Sequence, residues 1–375
     1  MSQTTRVARG RLPRRRLIAG LASAAGILAV TACGQATTMI PATATAPRYL
    51  TPTPVPTASS ADTAVTPQTA SASPVPAAPT VAATQPALAS PPVSPAAPTA
   101  RPTFASLSGA ADMAVVHGSS PATITRAAVD AIGGMKRFVK SGQVVVVKPN
   151  ICTAMAPEYA ATTNPEVVAT LVAMCKEAGA SQVKVLDYAW GSQRTNYQQS
   201  GIEEAVQKAG GEMVAITPVK WKKVEIPNAK LLKSVEVFDD VLKADVVINV
   251  PIAKDHGLSR LTLGMKNMMG IVSSREQFHM SLGQYLSDLL LQVKPAFTLV
   301  DAVRILTQNG PGGGRLEYVK QLDTVVASTD ILAVDAYSTS FFDLKPEDIE
   351  TIRTGAKNGV GTTDLTKLKI AEVTK

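Results

Sequence analysis

Fifteen of the 26 prolines in this 375-residue chain fall between residues 35 and 105, and that concentration limits how much of the chain can fold. Thr, Ala and Ser fill most of the remainder, Arg48, Arg101 and Asp62 are its only charges, and no apolar periodicity runs through it. Such a segment buries too little apolar surface to offset the entropy of ordering its backbone. It reads as a disordered or polyproline-II tether, spanning 33–108 with its flanks. At ~3.1 Å per residue, its 71 Pro-rich residues reach at most about 220 Å. A packed fold is therefore expected from residues 109–375, which suffice for one sizeable core or two small ones.

Ahead of the tether, Arg14, Arg15 and Arg16 precede an apolar run from Leu17 to Val30, and Val30-Thr31-Ala32-Cys33 closes it. A basic start, an apolar run of this length and small residues have the order of a signal peptide over 1–32. The run is shorter than the ~20 residues of a membrane span. Val-Thr-Ala-Cys resembles a bacterial lipobox, which implies that Cys33 becomes the lipidated N-terminus. A plain signal peptide or an N-terminal anchor helix is the alternative. Arg14-Arg15-Arg16-Leu17-Ile18 also resembles a twin-arginine signal, although Pro13 precedes the pair and no Lys follows. Sec and twin-arginine routes stay open. Either way the expected location is extracytoplasmic, in the periplasm or at the cell surface, with the membrane as a partner through the lipid on Cys33.

The formal charge of +8 invites a nucleic-acid reading, but its distribution removes it. Residues 1–108 hold eight Arg and one acid, Asp62, for +7, which leaves 29 basic and 28 acidic residues, or +1, for the rest. Cleavage before Cys33 removes six of those Arg and leaves about +2. With 4% aromatic residues there is also little material for base stacking, so no nucleic-acid partner is expected.

Within 109–375, apolar runs alternate with helical patterns. Strands are expected at Met113–His117, Val144–Val147, Val183–Leu186, Val246–Val250, Phe297–Val300 and Thr324–Ala327. Several are apolar on both faces, as buried parallel strands are. Helices are expected over 123–139, 165–178, 198–209, 281–292, 331–342 and 346–357. The clearest is 165–178, where Asn164 caps, Pro165 sits at the first position and Gly179 stops the helix. The pattern predicts an α/β fold: a mostly parallel sheet with helices on both faces and a small β insertion around 212–238.

Polar residues gather just after the expected strands, where open α/β sheets bind ligands. Lys148-Pro149-Asn150 follows one, Asp187 another, and Asn249 through Lys254 and His256 a third. Asp301 and Ser328-Thr329-Asp330 follow the last two. Singly, such residues are more often caps and turn formers. Jointly they predict one crevice, with Lys148, Asn150, Asn249, Lys254, Asn267 and Asp301 as ligand-binding candidates.

Leu263-Gly264-Met265-Lys266-Asn267-Met268-Met269-Gly270 places a Lys and an Asn inside an apolar run. A buried ammonium is costly unless paired or neutralised. Lys266 therefore serves a carboxylate partner, a bound anion or covalent use of its amine, or else it snorkels from a surface helix. Gly310-Pro311-Gly312-Gly313-Gly314 lacks the spacing of a nucleotide fingerprint and reads as a flexible hairpin or lid. Of the three His, His117 ends a strand and reads as structural, while His256 and His279 flank Lys266. Two His without helical spacing are a weak metal signal, with His279 the candidate ligand. Cys175 falls on the apolar face of its helix. Cys152 can line the crevice, and a Cys152–Cys175 disulfide is the lesser reading. No Cys-x-x-Cys exists, so no intrinsic iron–sulfur site is expected.

Taken in order, Val-Val-Lys-Pro-Asn (146–150), Thr-Asn-Pro-Glu-Val-Val (163–168), Ala-Asp-Val-Val-Ile-Asn-Val-Pro-Ile-Ala-Lys-Asp-His (244–256), Thr-Leu-Gly-Met-Lys-Asn-Met-Met-Gly (262–270), Val-Asp-Ala (300–302) and Ala-Ser-Thr-Asp-Ile-Leu-Ala-Val-Asp-Ala (327–336) resemble the domain of unknown function 362 family. The resemblance covers about 113–360. Some members carry ferredoxin-type cysteine motifs that this chain lacks. A fainter resemblance links Asp245…His256…Gly264-x-Lys266 to the N-terminal domain of the nickel-pincer lactate racemases. It implies that Lys266 holds a cofactor and that His256 acts as acid or base. The spacing from Lys266 to His279 does not match that pattern, and the surrounding glycines are only partly present.

The expectation is a membrane-tethered extracytoplasmic α/β protein that binds a small anionic or metal-containing ligand, with Lys266 and His256 as the catalytic candidates. As an enzyme it is a cofactor-dependent isomerase or oxidoreductase. The latter implies a redox partner protein, and the cofactor is a metal or a covalently held group. The rival reading is a non-catalytic ligand-binding lipoprotein.

Overall fold

The structure, a computed structural model, describes residues 109–375. The signal peptide, Cys33 and the Pro-rich tether lie outside the described residues. Twelve strands are described: β1 (Met113–His117), β2 (Val144–Pro149), β3 (Gln182–Val185), β4 (Glu212–Met213), β5 (Trp221–Glu225), β6 (Ser234–Phe238), β7 (Val246–Val250), β8 (Ile252–His256), β9 (Arg260–Thr262), β10 (Phe297–Leu306), β11 (Val319–Ser328) and β12 (Ile370–Thr374). Ten form the main sheet, in the order β12-β1-β11-β10-β7-β2-β3-β4, with β8 and β9 attached beside β10. From β10 through β7, β2 and β3 to β4 every pairing is parallel. The β10–β11 and β11–β1 pairings are antiparallel, so the sheet is mixed with a parallel half.

Helices cover both faces, as expected. They are α1 (Pro121–Ala131), α2 (Met135–Phe138), α3 (Pro165–Glu177), α4 (Gln193–Gln199), α5 (Ile202–Lys208), α6 (Asp239–Lys243), α7 (Gly264–Asn267), α8 (Leu282–Gln292), α9 (Ile331–Ser338) and α10 (Glu350–Lys357). Strand alternation sends neighbouring residues to opposite cores. Val145 and Val147 of β2 and Ile248 of β7 pack with Ile124 of α1, Leu171 of α3 and Val206 of α5. Val146 and Val247 join the other core, with Met265 of α7, Leu286 of α8, Val334 of α9 and Ile352 of α10. The β5–β6 hairpin is the small insertion, and its Val235, Val237 and Phe238 cover that second core.

Helix α3 starts as its residues dictate. Asn164 accepts from the Glu166 amide at 2.9 Å, and Pro165 takes the first position. Other boundaries differ from expectation. The helix expected over 123–139 breaks after Ala131, where Gly133 and Gly134 turn the backbone to positive φ. The helix expected over 198–209 is two helices, parted at Gly201, which has φ +71°. Only glycine adopts such angles without strain.

Two strands are longer than their apolar runs. β10 continues past Val300 to Leu306, and β11 begins at Val319, so the glycine-rich segment caps a long hairpin. Residues 252–256, expected as a loop, form strand β8, paired parallel to β10 and antiparallel to β9. No helix among the described residues is long and apolar enough to cross a membrane.

Candidate functional site

The carboxyl ends of β2, β3 and β7 open onto one side, and a cleft of about 380 Å³ lies there. Strand β2 delivers Lys148 and then Asn150, while the turn after β3 delivers Asp187, Tyr188 and Trp190. Lys254 and His256 come from β8, Lys266 and Asn267 from α7, and Arg275 and His279 from the segment beyond it. Gly310 and Pro311, at the tip of the β10–β11 hairpin, close one wall.

Asn267 organises the floor. Its Oδ1 accepts from Lys148 Nζ at 2.8 Å and from Asn150 Nδ2 at 3.1 Å. Its Nδ2 donates to Asn249 Oδ1 at 2.9 Å and to the Lys148 carbonyl at 3.2 Å. Lys148 is 1% exposed and forms an ion pair with Asp187 Oδ1 at 2.8 Å. Asp187 Oδ2 accepts from the Ile151 amide at 2.6 Å, so the aspartate also ties β3 to the turn after β2. Burial drives the Lys148 pKa down, against the attraction of Asp187. Gly270 is required beside this pair, because a Cβ there would lie 1.8 Å from Asp187 Oδ1.

Lys254 is also 1% exposed, and no ion pair to a carboxylate is found for it among the described residues. Its ammonium instead donates to Asn150 Oδ1 and Cys152 Sγ, each at 3.0 Å, and to the carbonyls of Ala161 at 2.5 Å and Pro311 at 3.0 Å. It thereby fastens the hairpin tip to the cleft floor. A second clasp joins Gly310 N to Asp255 Oδ2 at 2.9 Å, and the backbones are so close there that a Cβ on Gly310 would overlap the Asp255 carbonyl.

Lys266 differs from both. It is half-buried at the cleft wall, and its ammonium takes no hydrogen bond or ion pair among the described residues. Its pKa falls to about 8, first from burial and then from the charges of Lys254, Arg275 and Lys148, while Cys152 acts in the other sense. Asp335, buried on α9, holds the start of α7 by accepting from the Gly264 amide at 2.6 Å and the Met265 amide at 2.9 Å. Met265 and Met268 are buried in the core on either side of Lys266, which fixes the backbone of the turn that carries the lysine.

His256 is held near pKa 4, by burial first and then by the charges of Lys266, Lys254 and His279. Its Nδ1 accepts from the amides of Leu258 at 3.1 Å and Ser259 at 3.4 Å. At neutral pH it is an uncharged ring with its proton on Nε2, which makes it a hydrogen-bond donor. Arg275 donates from Nη1 to the Tyr188 carbonyl at 2.7 Å and lies 4.2 Å from that tyrosine's ring centre. Against four cationic side chains the cleft sets two carboxylates, Asp187, already paired, and Glu276, exposed at the rim. The surplus of positive charge favours an anion.

Six of the expected binding and catalytic residues line this cleft: Lys148, Asn150, Lys254, His256, Lys266 and Asn267. The proposed metal ligand His279 joins them, exposed at the edge. Two others lie elsewhere. Asn249 sits behind Asn267, donating to the Gly264 carbonyl at 3.0 Å, and so positions α7. Asp301 lies within β10, fully buried, and accepts from the Asn164 amide at 2.7 Å and the Val303 amide at 3.0 Å. Its work is to hold the start of α3.

Cys152 and Cys175 are free, and burial pushes the Cys175 thiol up to about 12. Among the described residues no three of His, Cys, Asp and Glu are grouped to hold a metal ion, so His279 and His256 have no third protein ligand. Arg275, Tyr188 and Trp190 were not expected. Nothing local in Ser273-Ser274-Arg275-Glu276 marks the arginine, whereas Tyr188 and Trp190 follow a strand end that already carried Asp187.

A family model described as Domain of unknown function (DUF362) matches residues 145–340, more than half of the chain, and the chain belongs to that family. It is 29% identical over 247 residues to a thylakoid-associated protein of Synechocystis sp., covering 64% of this chain and 75% of that protein. Among solved structures it is similar to the lactate racemase apoprotein from Thermoanaerobacterium thermosaccharolyticum, with a TM-score of 0.40 and 12% identity. That similarity covers 60% of this chain and 56% of the racemase, so the chain spans just over half the length of that protein.

Proposed function

We propose that this member of the domain of unknown function 362 family binds a small organic anion in the cleft, as a membrane-tethered extracytoplasmic protein. The observation that carries the reading is Lys266, an ammonium held in a wall of the cleft with no counter-ion among the described residues, beside Arg275. A carboxylate or phosphate there accepts from Lys266, from Arg275 and from the Nε2 proton of His256. The tether and anchor rest on the Pro-rich segment and on Val30-Thr31-Ala32-Cys33. Titration calorimetry of the full chain with short carboxylates and inorganic phosphate tests it. Binding is expected to weaken with added salt and to fall at least tenfold in Lys266→Met. Absence of binding by every anion tried would overturn it.

A second reading, catalysis, is favoured by the lowered pKa of Lys266. An amine near pKa 8 keeps roughly a tenth of its molecules unprotonated at pH 7, and it is then a nucleophile toward a carbonyl carbon. Reduction with borohydride in the presence of a 2-oxo acid would fix such an adduct. Intact mass would report it, and its absence from the wild-type chain removes the covalent role.

A further inference from the structure

The mouth of the cleft contradicts its floor. Trp190 and Leu258 both line the cleft, yet they are 74% and 76% exposed. Met269 and Pro311 also line the cleft. Single exposed apolar residues are ordinary, but an aromatic and an aliphatic side chain framing one opening above four cations form a polarity gradient. The volume argues in the same direction. About 380 Å³ is the room of a dozen waters at ~30 Å³ each, so an acetate-sized anion would leave most of the cleft wet. It falls within the range of sites that enclose drug-sized ligands.

We infer, resting on the anion-binding reading above, that the ligand is amphiphilic: a carboxylate or phosphate head at the Lys266–Arg275 end, with an alkyl or aryl body that leaves between Trp190 and Leu258. The arrangement suits such a molecule because each end meets what it needs. The head finds unpaired donors, and the body covers surface that otherwise faces water. A small hydrophilic anion uses only the first half.

The test is calorimetry of the full chain with butyrate, octanoate and octanamide below their aggregation concentrations. It is run on the wild type and on the Trp190→Ala/Leu258→Ser double variant. Each fully buried methylene strengthens binding about fourfold, and an open cleft gives less. Octanoate is expected to bind at least tenfold tighter than butyrate. The double variant is expected to lose at least fivefold for octanoate and to keep butyrate unchanged. Both side chains are exposed, so the variant is expected to fold, which circular dichroism checks. Equal affinity for butyrate and octanoate would overturn the amphiphile and leave the anion reading standing. So would an octanoate preference that survives unchanged in the variant. Octanamide binding as tightly as octanoate would overturn the charged head, and with it both readings.

Discussion

Lys266→Met is expected to make the protein more stable while it removes anion binding. The amine titrates near 10.5 in an unfolded chain and near 8 in the fold. At ~1.4 kcal/mol per pH unit, that difference amounts to a cost of up to ~3 kcal/mol for holding the ammonium in the cleft. The sign follows from which state binds the proton. Below pH 8 both states are protonated and the folded state bears the full cost. Between about 8 and 10.5 only the unfolded state keeps its proton, so stability rises with pH and the cost fades. Methionine fills a similar volume, keeps a similar helix propensity and carries no charge. The variant should therefore gain ~1–3 kcal/mol at pH 7, which is roughly 2–4 °C of melting temperature per kcal/mol for a domain of this size. Its advantage should vanish above pH 10.5. Urea unfolding of both proteins at pH 7, 9 and 10.5 measures it. A loss of ~3 kcal/mol or more at pH 7 would mean that Lys266 neutralises a buried carboxylate, and the argument from an unpaired charge would be wrong.

Asp187→Asn leaves the buried Lys148 ammonium with Asn267 Oδ1 as its remaining side-chain partner and should cost ~3–5 kcal/mol in chemical denaturation. A cost under ~1 kcal/mol would show that the ion pair is dispensable. Asp335 is pushed up to about 7, chiefly by burial, so its carboxylate destabilises the fold progressively as pH rises from about 4 to 7. Melting curves across that range should therefore shift in favour of Asp335→Asn by up to ~4 kcal/mol, and a constant difference would contradict the burial argument. Cys33→Ala should release the protein from membranes or block processing, as the segment before it implies, and normal processing with unchanged attachment would exclude lipidation.

Much of the molecule was legible in its residues. The valine runs of β1, β2 and β7 declared themselves because central strands of a largely parallel sheet are apolar on both faces. Helix α3 was readable from Asn164, Pro165 and Gly179, whose preferences are local. Lys148, Asn150, Lys254, Lys266 and Asn267 stood out because polar side chains beside buried strands need a reason. What stayed hidden depends on partners distant in sequence. Strand β8 carries Lys254, Asp255 and His256, a polar run after Pro251 with no strand period, and it is a strand because β10 and β9 supply its hydrogen bonds. Asp301 resembled a strand-end ligand residue until β10 ran on for five more residues and turned its carboxylate toward the start of α3. Arg275 joined the cleft only through the fold of the turn after Gly270, where its guanidinium meets Tyr188. Composition and local spacing determined which residues had to be inside and which had to be explained. Only the closure of the chain decided which of them face one another, because pairing across 50 to 120 residues leaves no local signature in the sequence.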